Sequence, residues 1–310
     1  MPDKPLWPDG KRFAFSVFDD TDLSTLENVQ PVYALLADLG FRTTKSVWAF
    51  AGSGRPLSGG CTCDDRPYRD WLLRLQEQGF EIALHNATYH TSPREDTIRG
   101  FNLFAEIFGH DPKTLANHAN VAESIYWFGA RLSGSRALAY NMMTGFRHVG
   151  RSRGHLEGDP LFWGDVCRQR IKYVRNFVFG GINTLKACPW MPYHDPARPY
   201  VNYWFASSPG ADLEAFNQTI AESRQDRLEE EGGACIMYTH FACGFCENNR
   251  VSPRFRQLME RLARKGGCFV PVGELLDYIL QQRGHLEITN RQRRHLERRW
   301  LLRKMLCGSE

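Results

Sequence analysis

The sequence predicts an α/β chain of parallel βαβ units, of a length common among single-domain α/β barrels. Two observations carry that expectation. Short apolar runs alternate with stretches of helical, amphipathic spacing, the pattern of repeated βαβ units. The polar residues capable of chemistry stand where those runs end, as they do on the C-terminal face of a parallel barrel. Six to eight strands can be read along the chain.

The first strand is the stretch FAFSVFDDTD, residues 13–22, in which Phe13, Phe15, Val17 and Phe18 favour extended backbone and the run ends on Asp19 and Asp20. Consecutive strand residues face opposite sides, so these two acids are unsuited to flanking one glycosidic bond. At a strand end they can divide the work, one holding a cation and the other moving a proton; the plain alternative is a turn or a helix cap. A helix then starts around Asn28 and Pro31 and stops at Gly40. Residues 43–50 form the next strand, and the glycine-rich AGSGRPLSGG after it lacks the order of a phosphate-binding loop and reads as a rim. Pro67 opens a helix, FEIALH is a strand ending at His85, and a helix runs from Pro93 to Gly109. TLANHAN reads as a fourth strand ending near His118, followed by a helix over 122–143. Residues 145–200 are dense in Gly, Pro, Arg and aromatic residues, the composition of loops that cover a site, with one helix over 166–178. NYWFASS, a helix over 212–230, the strand ACIMYTH ending at His240, a helix over 252–265, the strand CFVPV and the helix GELLDYILQQ complete the alternation.

The 310 residues are 42% hydrophobic, 13% aromatic and 24% charged, enough for a sizeable core. The reading is one barrel domain over 1–284 and a basic amphipathic tail over 285–310, where Ile288, Leu296, Trp300 and Leu301 recur among arginines. Such a helix suits a membrane surface, a protein partner or its own barrel. A net charge of +4, concentrated in that tail, does not argue for nucleic acid. The start carries no apolar leader and no run has the length of a membrane span, so a cytoplasmic protein is expected. Nine cysteines, an odd number, fit reduced thiols. The spacing of Cys61 and Cys63 fits a zinc ribbon poorly, and the CGFC of Cys243 and Cys246 does not open a helix as a thioredoxin-like motif should.

Three strand ends therefore carry polar groups: Asp19 with Asp20, His85 with His90, and His240. Two imidazoles and a carboxylate suit zinc or a similar divalent ion with open positions for water and substrate. In these residues the sequence resembles the polysaccharide deacetylase superfamily of carbohydrate esterases, which includes the chitooligosaccharide deacetylases. SVFDDTD stands for the family's first strand end, FEIALHNATYH for its paired histidines and IMYTHF for its late histidine. The resemblance implies a distorted (β/α)7 barrel with long loops over the strand C-terminal face. It implies Asp20, His85 and His90 as metal ligands, Asp19 as general base and His240 as general acid. It also implies an acetylated carbohydrate substrate and a metal-dependent hydrolase, most simply an N-deacetylase. Departures are visible: Thr21 replaces a glycine, and His85 and His90 lie five positions apart. On an ideal helix that step turns the second side chain about 140° away from the first. The family's arginine and proline motif is absent, and LANHAN holds its place. There His118 is a candidate substitute ligand or substrate contact, and Asp195 a candidate to orient His240. The competing readings are a carbohydrate-binding barrel without catalysis and a thiol protein using CGFC.

Overall fold

The computed structural model describes residues 7–307. Seven parallel strands, β1 (Ala14–Asp19), β2 (Thr44–Val47), β3 (Glu81–Leu84), β4 (Thr114–Leu115), β5 (Tyr173–Val178), β6 (Tyr203–Ser207) and β7 (Ala234–Thr239), lie in the order β6-β5-β4-β3-β2-β1-β7. Strands β1 and β7 stay in register from Ala14 opposite Ala234 to Asp19 opposite Thr239. Just past β6, the Ser208 N–H donates to the Ile236 carbonyl (2.7 Å) and the Tyr238 N–H donates to the Ser208 carbonyl (3.0 Å). These bonds bring the two ends of the sheet together in a nearly closed barrel.

All residues of β1 are buried, because a parallel sheet is covered on both faces. Phe15 meets Phe41 on the helix side, whereas Phe18 meets Phe205 of the non-adjacent β6 across the interior, each at 6.1 Å between ring centres. The outer layer contains α1 (Leu26–Asp38), α2 (Arg66–Glu77) and α3 (Arg94–Phe108). Tyr68, Trp71, Leu72 and Leu75 of α2 show how the helices dock: their spacing places four side chains on one buried stripe. The chain continues through α4 (Ser135–Met143), α5 (Gly164–Arg170), α6 (Thr184–Ala187), α7 (Leu213–Thr219) and α8 (Glu222–Glu231). After β7 come a hairpin of β8 (Cys246–Glu247) and β9 (Arg250–Val251), then α9 (Pro253–Arg264), α10 (Val272–Arg283) and α11 (Asn290–Cys307). Asn248 and Asn249 at the hairpin tip both have left-handed backbone, with φ of 49° and 58°, as a two-residue hairpin with primed geometry requires.

Four sequence expectations change. Residues 166–178 are half helix and half strand: α5 ends at Arg170, Ile171 is extended, and β5 follows. Arg175 interrupts the apolar run of β5 and hides its character; it is buried for a purpose given below. CFVPV adds no strand to the sheet. Cys268 makes one bridge to β1, at Ala14, on the edge that β2 joins only at Phe18 and Asp19, and Pro271 then begins α10. The helix expected over 122–143 is a 3-10 turn at Phe128–Arg131 followed by α4, with Gly134 at φ 55° between them. The helix expected over 212–230 is divided into α7 and α8 at Ile220 and Ala221.

Helix α11, in the segment read as a tail, lies against the barrel. Leu296, Trp300 and Leu301 are buried, Trp300 meets Tyr140 of α4 and Phe177 of β5, and the fully buried Glu297 accepts from Ser133 and Arg136. Among the described residues, no helix is long and apolar enough to cross a membrane.

Candidate active site

The C-terminal ends of β1, β3, β4 and β7 open into one cavity of about 960 Å³. Asp22 follows β1, His85 follows β3, His118 follows β4 and His240 follows β7. His85 Nε2 lies 3.1 Å from Asp22 Oδ2, His118 Nδ1 lies 3.2 Å from Asp22 Oδ1, and the two ring nitrogens are 3.3 Å apart. Asp22, His85 and His118 are the one group among the described residues whose donor atoms converge closely enough for a metal ion. Ser58 of the glycine-rich rim also donates to Asp22 Oδ1, at 2.6 Å. Burial opposes charge on Asp22, but the two imidazoles outweigh it and hold the carboxyl far below the usual range. Burial also holds His118 low, against the pull of Asp22, which favours the neutral imidazole that a cation needs.

The donor spacing suits a metal ion. Ligand bonds of about 2.0–2.1 Å in a tetrahedron place neighbouring donors about 3.3 Å apart, and the three separations here are 3.1, 3.2 and 3.3 Å. The ring nitrogens of His85 and His118 that point away from this centre, Nδ1 and Nε2, have no hydrogen-bond partner. His85 Nδ1 does lie 3.8 Å from Asp20 Oδ1, on the side where a ligating histidine is commonly supported by a carboxylate.

Backbone geometry sets these side chains. Asn86 has left-handed backbone with φ 58°, a conformation Asn tolerates better than most residues. Its Oδ1 accepts the His118 N–H at 2.7 Å, and its Nδ2 donates to Glu123 Oε1 at 3.2 Å. Burial pushes the Glu123 carboxyl up to about 8. The His118 ring makes a T-shaped contact with Trp48.

Asp19 and Asp20 point apart, as adjacent strand residues do. Asp19, expected as the general base, does not line the cavity. It accepts from Lys45 (2.9 Å), from the Tyr33 hydroxyl (3.0 Å) and from the Phe241 N–H (2.8 Å), all between the sheet and its outer layer. Burial opposes the charge of Lys45, yet Asp19 more than compensates and holds its ammonium protonated. Asp20, expected as a metal ligand, faces the interior and is gripped at both oxygens by Arg175 of β5, at 2.8 and 2.5 Å. Burial would raise the Asp20 carboxyl, but Arg175 first and then His85 bring it below the usual range.

The other expected site residues are equally well defined. His90 has both ring nitrogens engaged away from the metal group: Nε2 accepts from the Gly54 N–H at 2.9 Å, and Nδ1 pairs with the Thr91 carbonyl at 2.8 Å. The loop that carries it folds onto the rim instead. His240 Nδ1 pairs with the Ala211 carbonyl at 2.8 Å, which leaves Nε2 facing the cavity 3.6 Å from Asp22 Oδ2. Asp195 does not touch His240; it is bound by Arg198 and by Arg293 of α11. Burial raises the thiols of Cys243 and Cys246, against a role as nucleophiles, and eight of the cysteines are free.

Sequence reasoning missed Asp22 and Arg175 as site residues. Asp22 had a signal, since the two-residue period of a strand end puts it on the same side as Asp20. Arg175 had none, because its partner lies 155 positions earlier.

No protein-family model matches this sequence, and no curated protein matches it. Solved structures do resemble the fold. A crystal structure of PuuE allantoinase matches with a TM-score of 0.53 at 12% identity, covering 91% of this chain and 94% of that one. A Mycobacterium smegmatis protein assigned as a polysaccharide deacetylase matches with a TM-score of 0.50 at 13% identity, covering 94% of this chain and 98% of that one. At these identities the likeness is one of fold, and this chain shares the fold of both structures.

Proposed function

We propose that this chain is a divalent-metal hydrolase that removes an acetyl or similar acyl group from a carbohydrate, most simply an N-deacetylase. Asp22, His85 and His118 hold the ion in this reading. The observation that carries it is the mutual spacing of those three donor atoms at the C-terminal face of the barrel. Two imidazoles and a carboxylate suit zinc or a similar divalent ion and leave coordination positions for substrate and water. An ion held there would lower the pKa of a water and polarise the acyl carbonyl. The chain's own residues do the rest. Arg175 keeps Asp20 ionised behind the His85 ring, 3.8 Å from Nδ1, where the carboxylate can support that nitrogen and keep Nε2 turned towards the ion. The Ala211 carbonyl fixes the ring of His240 with Nε2 towards the cavity, where it can protonate a leaving amine or alcohol. The fold shared with an assigned polysaccharide deacetylase supports the carbohydrate as substrate.

Metal analysis of the parent protein and of Asp22→Ala, His118→Ala and Asp20→Asn tests this reading. About one divalent ion per chain is expected in the parent and in Asp20→Asn, and much less in the other two. Asp20→Asn, compared where both proteins are folded, is expected to slow deacetylation of a chitooligosaccharide or acetylated sugar by about one to two orders of magnitude through the less firmly held His85 ring. A parent that takes up no divalent ion, or unchanged metal content in Asp22→Ala and His118→Ala, would end the proposal.

A further inference from the structure

Three arginines approach one another beside the cavity, and two of them are neutralised. Arg175 is paired with Asp20, and Arg198 with Asp195 and Glu297. Arg131 has no carboxylate within ion-pair distance among the described residues, although its exposure is 5% and it lines the cavity. Its Nη1 donates to the Asn176 carbonyl at 3.3 Å, and its buried Nε has no partner. The guanidinium carbon lies 3.6 Å from the ring centre of Trp127 and 4.9 Å from that of Trp300. Two indoles thus fix the position of a cation that burial and the neighbouring Arg175 and Arg198 disfavour. An unpaired buried charge is costly, and it is retained where a partner arrives from outside. The remaining charges of the cavity agree. Among the described residues its carboxylates are Asp20, held by Arg175, and Asp22, in the metal group, whereas Arg147 adds positive charge to its lining.

We propose that the substrate is anionic, with a carboxylate or phosphate on the acylated carbohydrate held by the Arg131 guanidinium between Trp127 and Trp300. The planar fork of an arginine matches either anion through paired N–H donors, and stacking on the indoles orients it in advance. The inference rests on the hydrolase reading for the scissile group and adds the chemical class of the substrate.

Calorimetric titration of the 310-residue protein as purified, with glucuronate, glucose 6-phosphate and glucose, tests it. At least one anion is expected to bind at least tenfold tighter than glucose, and Arg131→Gln to weaken that binding tenfold or more. The tighter of the two anions identifies the source of the charge as a sugar acid or a sugar phosphate. Arg131→Lys, which keeps the charge without the fork, is expected to weaken binding as well, and it decides the matter if Arg131→Gln does not fold. Neither anion exceeding glucose, or binding by the folded variants equal to the parent, overturns the proposal. An anion held by a metal ion alone would give that second result. Metal content measured on the same samples separates the two readings. Metal without preference for an anion refutes only the anionic substrate, and Arg131-dependent anion binding without metal refutes only the hydrolase.

Discussion

Asp19, Asp20 and Asp22 lie within four positions of one another, and each has a different environment. Asp19 is a structural ion-pair partner of Lys45, both side chains being fully buried. Asp19→Asn is expected to cost about 3–5 kcal/mol, because it strands a buried ammonium. Chemical denaturation measures the loss, and Asp19→Asn combined with Lys45→Met should recover much of it. Glu123 makes a different prediction. Its carboxyl is raised from an ordinary 4.5 to about 8 in the folded protein by burial. The folded state therefore keeps a proton that the unfolded chain loses, and stability falls as pH rises between those values. Glu123→Gln retains an acceptor for Asn86 and cannot ionise. Relative to the parent it is expected to be more stable by a few kcal/mol at pH 8 and little changed at pH 4. Parallel pH profiles of the two proteins would show the idea wrong.

Helix α11 shows how one element serves both packing and the cavity. Its inner face buries Leu296, Trp300 and Leu301, and its Glu297 meets Arg136 and Arg198. Trp300 also lines the cavity and stacks on Arg131. Trp300→Ala is expected to cost about 3–5 kcal/mol through the void it leaves, and also to weaken anion binding. Removal of residues 285–310 is expected to lower the thermal midpoint sharply, because it leaves Arg136 and Arg198 without Glu297 and uncovers the apolar surface under the helix. Differential scanning calorimetry of the truncated and parent chains checks this. An unchanged midpoint would mean that the helix contributes little to the core.

At the scale of the molecule, a parallel barrel brings every strand's C-terminal end to one face, so residues as distant as Asp22 and His240 share a cavity. Helices and loops outside the barrel then decide its depth and charge. A metal ion that binds only this assembled arrangement must stabilise it, by about 2.7 kcal/mol when the free ion stands at a hundred times its dissociation constant. Zinc added to metal-depleted protein is therefore expected to raise the thermal midpoint by about 5 °C, given about 2 °C per kcal/mol for a chain of this size. The rise should vanish in His118→Ala. An equal rise in both proteins would place the ion elsewhere.

The sequence by itself determined the α/β class, most strands and helices, and the strand ends at which polar side chains gather. Those features depend on local periodicity: the apolar run of β1 and the buried stripe of α2 are written in consecutive residues. It also placed His85, His118 and His240 near the cavity, since each lies at or within three residues of a strand end. Only the tertiary structure decided which donors meet. The spacing that makes His90 unsuitable was visible, but its replacement by His118 depends on how β3 and β4 lie side by side. Arg175 broke the pattern of its strand because its burial is repaid by Asp20 across the barrel, a contact that local propensity does not register. The same holds for Arg131, whose missing partner is visible only once the surrounding side chains are in place. Local sequence sets backbone conformation through sterics and periodicity, whereas the pairing of buried charges is settled by which strands and helices the fold brings together.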